Sequence, residues 1–366
     1  MSKKFNKVII ATGGTGGHIF PAYSLANHFI NQKVNVRIIS DKRGMKYLKN
    51  YNNLKISLIY SKTIFTKNIF KLIFSLFTII YSILRSLVIL LTDRPNLVFG
   101  MGGYSSFPVC VAAKILGIPF IIYENNLQIG KANKYLLPFA KKIFVSNIEL
   151  EGISNIYKNK ICTVGNIIRK EIIDFNPSIN INKNSSILRI LILGGSQAAK
   201  TFAEKLPEIF KRCSDTNIPI KIYQQCLPEQ NKFLTSFYND LNIDFQIFNF
   251  TNNILEYFSL INLAITRSGS SMLAELTNSK IPFISIPLPT SADNHQLKNA
   301  IYYEKKGYSY LIEEKDLSTK LFKLIKIFHE DKFLLEKIKI KQAEYSDKSV
   351  FIKIDKEIEN IINEKY

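Results

Sequence analysis

Short apolar, β-branched runs alternate along the whole chain with segments of helical spacing. Val8-Ile9-Ile10-Ala11-Thr12 leads into Gly13-Gly14-Thr15-Gly16-Gly17-His18, and a helical pattern follows from Ile19 to Asn31. The same unit returns in the second half. There Leu188-Arg189-Ile190-Leu191-Ile192-Leu193 leads into Gly194-Gly195-Ser196-Gln197 and a helix over Ala199–Ser214. Further strands are predicted at 34–40, 55–60, 96–99, 118–123, 142–146 and 161–164, then at 220–225, 244–248, 260–266, 281–286 and 308–312. Near-continuous apolar strands alternating with helices are the mark of doubly wound parallel sheets covered on both faces.

The break in this rhythm lies at 174–186, where Asn, Ser and Pro occur without periodicity and read as a linker. The expected organisation is an N-terminal domain at 1–168, a linker at 169–186 and a C-terminal domain at 187–347. A final helix, 348–366, is expected to pack back on the first domain. The fold class is therefore α/β, with two Rossmann-like domains facing a central cleft. Ligands of such sheets bind beyond the carboxyl ends of the strands, where the glycine turns fall. A chain of 366 residues suits two domains of ordinary size.

One segment needs a different explanation. Ile69 to Leu91 is apolar almost all round a helix, interrupted only by Lys71 and Arg85. A membrane-spanning reading would bury Arg85 deep in lipid and separate two strands that belong to one sheet. The favoured reading is a helix that packs inward on one side and meets a membrane interface on the other. Ile73, Phe74, Phe77 and Ile80 are the apolar contacts, with Lys71 and Arg85 beside anionic headgroups.

Charge strengthens that reading. Residues 1–94 carry 15 Lys and Arg against Asp41 and Asp93 alone, and most of the chain's net charge of +20 lies before residue 169. A basic first half implies an anionic surface beside that half only. Nucleic acid is disfavoured, because the basic residues flank a greasy helix instead of interleaving with stacking aromatics. Hydrophobic residues at 46% exclude a disordered chain. Cys110, Cys162, Cys213 and Cys226 are too scattered for a disulfide framework or a zinc site. The residues after Met1 lack the apolar region of a signal peptide, so a cytosolic location is expected.

The chemistry gathers at strand ends. The turn at Gly13–Gly17 admits close approach of an oxyanion, and His18 at its end is the first candidate for a general base. A dinucleotide fingerprint starting at Gly14 would need a third glycine where Ile19 stands. Asp41 could imitate its ribose-binding acid, so a nicotinamide enzyme remains an alternative. Gly100-Met101-Gly102-Gly103-Tyr104 forms a second glycine turn. With Gly13 and Gly14 it would cradle a diphosphate. Glu124, at another strand end with Asn125 and Asn126, is the second candidate base. In the second half, Ser196, the run Arg267-Ser268-Gly269-Ser270-Ser271, Glu275 and Gln296 border a further anion site. Ser271 and Glu275, four apart on a helix, would meet one ligand. No metal site is expected.

Gly13-Gly14-Thr15-Gly16-Gly17-His18-Ile19-Phe20-Pro21, Gly100-Met101-Gly102-Gly103-Tyr104, Gly194-Gly195-Ser196-Gln197 and Arg267-Ser268-Gly269…Glu275, in this order, resemble the MurG family. That family transfers N-acetylglucosamine to lipid I, giving lipid II for peptidoglycan. The resemblance implies a GT-B fold and a UDP-N-acetylglucosamine donor held mainly by the C-terminal domain. The acceptor would be undecaprenyl-diphospho-MurNAc-pentapeptide, approached at the cytoplasmic face of the inner membrane by a peripheral enzyme.

Carried over by position, the donor contacts fall on Thr15, Gly16, Gly17, Asn126, Arg169, Ser196, Thr251, Ser270, Ser271, Met272, Glu275 and Gln296. Gly13, Gly14, Gly102, Gly103 and Tyr104 would hold the acceptor diphosphate. Met272 stands where the family commonly has Thr or Ser, and Ile167 replaces its usual Pro. No cofactor is implied, and a divalent cation stays an open alternative. Other readings are a different GT-B enzyme, either a glycolipid transferase or a UDP-sugar epimerase, or a non-catalytic UDP-sugar-binding protein.

Overall fold

In a computed structural model, the described residues are 5–14, 16–48, 54–62, 68–176, 187–249, 251 and 253–363. They form two compact units, Met1–Arg169 with Asp347–Tyr366, and Lys170–Ser346. The helical turn Lys170–Ile173, expected in the linker, belongs to the second unit, and residues 177–186 lie outside the described residues.

In the first unit the strands are β1 (Lys7–Ala11), β2 (Asn35–Ser40), β3 (Lys55–Leu58), β4 (Leu97–Gly100), β5 (Phe120–Glu124), β6 (Lys142–Val145) and β7 (Ile161–Thr163). They pair in the order β3-β2-β1-β4-β5-β6-β7. Every pairing is parallel, with Val8 opposite both Val36 and Leu97. All four residues of β4 and all five of β5 are buried, as a sheet covered on both faces requires. One face is filled by α1 (Gly16–Asn31) together with the C-terminal helix Val350–Asn363. His28 of α1 meets Asp355 at 2.8 Å and stacks on Phe351, which fixes that helix on this unit.

Helix α2 (Lys42–Leu48) follows β2. The opposite face of the sheet carries α3 (Ile69–Asp93) and α4 (Ser106–Ile115). Since β3 and β4 flank α3 and join one sheet, both ends of α3 return to the same side. It packs along that face of the sheet, against α4.

Helix α3 sets serines among apolar residues on its inward side, where Ile83, Leu87, Ile89 and Leu90 join the core, and is greasy outside. Its buried residues are Ser75, Ser82, Ser86, Leu90 and Asp93, which recur at helical spacing on one face. Ser82 Oγ donates to the Tyr60 carbonyl at 2.6 Å and Ser86 Oγ to the Ser82 carbonyl at 2.7 Å. Asp93 is paired with Arg37 and Lys7. The outward side presents Phe70, Ile73, Phe74, Phe77, Ile80, Leu84, Val88 and Leu91 to solvent.

The second unit repeats the plan. Its strands are β8 (Leu188–Leu193), β9 (Ile220–Gln225), β10 (Asp244–Phe248), β11 (Leu263–Thr266), β12 (Phe283–Ser285) and β13 (Tyr310–Leu311), in the order β10-β9-β8-β11-β12-β13 and parallel throughout. Leu188, Ile190 and Ile192 of β8 enter one core with Phe202, Leu206 and Phe210 of the following helix.

Candidate active site

In each sheet the strand order reverses between two neighbours, β1 and β4 in the first unit and β8 and β11 in the second. The crevice outside such a switch point is where α/β sheets bind ligands. The glycine turns follow those four strands.

At the first switch point the turn after β1 is held by side chains from other strand ends. Pro21, in the second turn of α1, has no N–H to give the carbonyl four residues before it, which is that of Gly17. Asn125, just past β5, supplies the missing donor: its Nδ2 reaches the Gly17 carbonyl at 3.0 Å. Thr12 Oγ1 donates to the His18 carbonyl at 3.0 Å. The first turn of α1 is thereby fixed, and His18 projects from it.

The His18 ring lies against the turn after β4. Gly102 and Gly103 have φ of +86° and +74°, a region that L side chains rarely adopt. A β-carbon on Gly102 would come within 2.9 Å of His18 Cε1, and one on Gly103 within 3.5 Å of Cδ2. The imidazole is thus seated on bare backbone between the two turns. Gly13 is equally constrained, because a β-carbon there would stand 2.1 Å from Ser105 Oγ. Tyr104 is exposed at the outer end of the second turn.

Gly14 takes a different part from the one expected. Its N–H points to Asp41 Oδ1 at 3.1 Å, so this amide is committed within the protein and is not a donor to an acceptor diphosphate. The same carboxylate accepts from the Gly44 N–H at 2.9 Å, from Ser61 Oγ at 2.8 Å and from Arg43. Asp41 is a pin for the glycine turn, with no lone pair left for a ribose, which removes the basis for a nicotinamide enzyme. Burial pushes its pKa up, but the Gly44 and Gly14 amides, Ser61 and the Arg43 charge outweigh this and hold it below the ordinary 3.8. A depressed carboxylate contributes stability at pH above its unfolded value and loses it as pH falls through the folded one. Asp41→Asn should therefore lower stability at neutral pH by about 1–3 kcal/mol, and the gap from wild type should close below pH 3.8. Urea midpoints across that range check it.

Glu124 requires a correction as candidate base. It is buried at the end of β5. Its Oε1 accepts from the Asn126 N–H and Nδ2 at 3.1 and 3.0 Å, and its Oε2 from the Gly130 N–H and Asn133 Nδ2 at 2.9 and 3.0 Å. Four donors saturate the carboxylate, so it cannot also take a substrate proton. Glu124 is a clamp that shapes the Asn125–Gly130 loop and orients Asn126. Glu124→Gln turns an amide N–H toward two of these donors. The expected loss is about 1–3 kcal/mol of stability, read from urea unfolding.

Arg169, the last residue of the first unit, lies over the Phe20 ring at 5.4 Å, above the start of α1. The turn before it, where the resemblance implied a proline, holds with Ile167. The Ile167 N–H donates to Tyr123 Oη at 2.9 Å, and the Asn166 N–H to Asp347 Oδ1 at 2.8 Å. A proline at 167 could not make the first of these bonds. Gly16 and Gly17 open α1, and Thr15 lies outside the described residues.

At the second switch point Gly194 precedes the helix Gly195–Asp215. Ser196 lies in its first turn, and its side chain is outside the description. After β11, Arg267 stacks over Phe202 and ties three segments together. Its guanidinium donates to the Ile286 and Pro287 carbonyls at 3.4 and 3.3 Å and to Glu314 Oε2 at 2.6 Å. Asn299 Nδ2 donates to the Ser268 carbonyl at 3.1 Å. Gln296 Oε1 accepts the Leu288 N–H at 3.0 Å and so shapes the loop after β12, leaving its amide nitrogen as the available end. Ser270, Ser271, Met272 and Glu275 lie on the helix Ser270–Asn278, with Ser270 and Glu275 buried and Ser271 and Met272 half-buried. Among the described residues nothing stands within 4 Å of a β-carbon built on Gly269, so the turn is open on that side. Thr251 Oγ1 accepts the Asn253 N–H at 3.0 Å. No cluster of three His, Cys, Asp or Glu that could hold a metal occurs among the described residues.

Two doubly wound units with glycine turns at their switch points make up the GT-B fold. Residues 8–145 match the family model for the glycosyltransferase family 28 N-terminal domain, and 189–352 that for its C-terminal domain. The UDP-N-acetylglucosamine–N-acetylmuramyl-(pentapeptide) pyrophosphoryl-undecaprenol N-acetylglucosamine transferase of Pelagibacter ubique is 33% identical over 98% of this chain and 99% of its own length. Among solved structures, Acinetobacter baumannii MurG superposes with a TM-score of 0.74 at 24% identity, covering 98% of this chain and 99% of that one. S. aureus MnaA, solved with UDP, gives 0.69 at 14%, covering 98% and 97%. The chain belongs to the MurG family of glycosyltransferases.

Proposed function

We propose that the protein moves N-acetylglucosamine from UDP-N-acetylglucosamine to the C4 hydroxyl of the MurNAc sugar in undecaprenyl-diphospho-MurNAc-pentapeptide, converting lipid I to lipid II. The observation that carries this reading is the near full-length similarity to a transferase named for that reaction. His18, seated on Gly102 and Gly103, takes the C4 hydroxyl proton. The freed oxygen attacks the anomeric carbon as the bond from that carbon to the UDP oxygen breaks, so UDP leaves with the electron pair and configuration inverts. Amides and helix starts at the second unit's turns, aided by Arg169, meet the charge on the departing diphosphate. Glu275 and Ser271 face the nucleoside and Gln296 the sugar. Gly13, Gly102 and Gly103 accommodate the acceptor diphosphate.

The outward face of α3 supports a peripheral site of action on an anionic membrane. Its apolar side chains form a continuous patch, of the kind that soluble monomers rarely leave in water. Lys62 lies 3.8 Å from the Phe74 ring centroid, which sets a cation at the edge of that patch. The decisive assay supplies sugar-labelled UDP-N-acetylglucosamine with and without a short-chain lipid I analogue. Label should enter lipid only when acceptor is present. Free labelled sugar without acceptor would point to an epimerase. Binding of the nucleotide with no transfer would point to a non-catalytic sensor.

A further inference from the structure

Arg43 stands beside the glycine turn, paired with Asp41. Its side chain is 61% exposed, whereas that of its partner, Asp41, is 6% exposed. Arg43 Nε and Nη2 both donate to Asp41 Oδ2, at 3.3 and 3.1 Å. Nη2 also comes 3.9 Å from the β-carbon position of Gly14, whose φ is +87°. A guanidinium has five N–H donors and this contact uses two, so the outer edge of the fork has no partner among the described residues. The ion pair with Asp41 is formally neutral, so what Arg43 offers a ligand is the set of N–H donors on its outward edge.

The surroundings indicate which anion belongs there. Ser61 Oγ donates to Asp41 at 2.8 Å and accepts from Ser105 Oγ at 3.1 Å, below the second glycine turn. The preceding residue, Tyr60, gives its carbonyl to Ser82 of α3. The segment that fixes Asp41 and Arg43 is thus bonded directly to the apolar helix. The diphosphate of a membrane-embedded lipid stays at the bilayer surface, so whatever grips it must be built beside the membrane-docking element.

We propose that Arg43 binds a phosphate of the lipid acceptor at the first glycine turn, with Asp41 as its positioning residue. This deepens the lipid I reading and rests on it. A held guanidinium matches phosphate oxygens bidentately and loses little freedom on binding. The assignment also compensates for Gly14, whose amide is turned inward: the carboxylate that removes one donor from the turn holds a cationic fork in its place.

The test measures steady-state kinetics with UDP-N-acetylglucosamine and a short-chain prenyl-diphosphate MurNAc-pentapeptide, alongside calorimetric binding of a short-chain prenyl diphosphate. Arg43→Ala should raise the acceptor KM about 10–100-fold, with kcat within about threefold and the donor KM within about twofold of wild type. Prenyl diphosphate binding should weaken in parallel, and Arg43→Lys should fall between. Asp41→Asn should raise the acceptor KM, and the double variant should raise it by less than the product of the two single effects. A folded Arg43→Ala variant with unchanged acceptor KM and prenyl diphosphate binding overturns the proposal, as does a rise confined to the donor KM. Wild-type protein that transfers no sugar overturns the lipid I reading instead, and the calorimetric arm still decides Arg43.

Discussion

His18→Ala should lower kcat about 10²–10⁴-fold while the protein stays folded and still binds UDP. The expectation rests on how completely the imidazole is placed. Thr12 and Asn125 fix the first turn of α1 from which it projects, and the bare backbone of Gly102 and Gly103 forms its seat. Neither carboxylate described near that turn is open to the proton, because Glu124 is saturated by four donors and Asp41 by the turn itself. Gly102→Ala serves as an independent check. Its β-carbon would displace the ring and also strain a backbone at φ +86°. It should reproduce much of the kcat loss with His18 intact. A kcat for His18→Ala within about threefold of wild type would remove His18 as the base.

Ile73→Ser with Phe77→Ser should release the protein from anionic vesicles, with affinity falling at least about a hundredfold, while UDP binding is unchanged. Phe77 is 68% exposed and Ile73 45% exposed, so neither substitution opens a cavity. Each such side chain contributes about 1.5–3 kcal/mol when it leaves water for the acyl boundary. The inward side of α3 is held by Ser82, Ser86 and Asp93, none of which is altered. Folding should be untouched or slightly improved, since two apolar groups leave the aqueous surface. Unchanged vesicle binding, measured by flotation, would show that this face meets something other than lipid. Added salt should weaken wild-type binding, because the attraction of Lys62, Lys71 and Arg85 for headgroups is screened.

The strands were legible because parallel strands buried on both faces are written as unbroken apolar runs: the expected 34–40 and 96–99 appear as Asn35–Ser40 and Leu97–Gly100. The glycine turns were legible for a related reason, since positive φ at Gly102 and Gly103 leaves few other choices of residue. Roles set by distant contacts were not. Asp41 reads as a possible ribose acid at a strand end, and only the fold brings the Gly14 amide, Ser61 and Arg43 onto it. Glu124 reads as a base because nothing in its neighbours reveals that Asn133 will fill its last lone pair. The service of Asn125 to Gly17 follows from Pro21, a signal present in the sequence, yet the partner comes from another strand. Helix α3 was readable as partly outward-facing. That three serines would lie among the core-facing apolar residues of its inward side was not, because apolar residues occur all round it.

The most direct test of the central claim is the linkage in the product made from UDP-N-acetylglucosamine and the short-chain lipid I analogue, established by proton NMR after mass spectrometry has shown the gain of one N-acetylhexosamine. Direct displacement with His18 as base predicts a β-linked sugar on the MurNAc C4 oxygen. Retention of the donor's α configuration, or attachment at any other position, would contradict it.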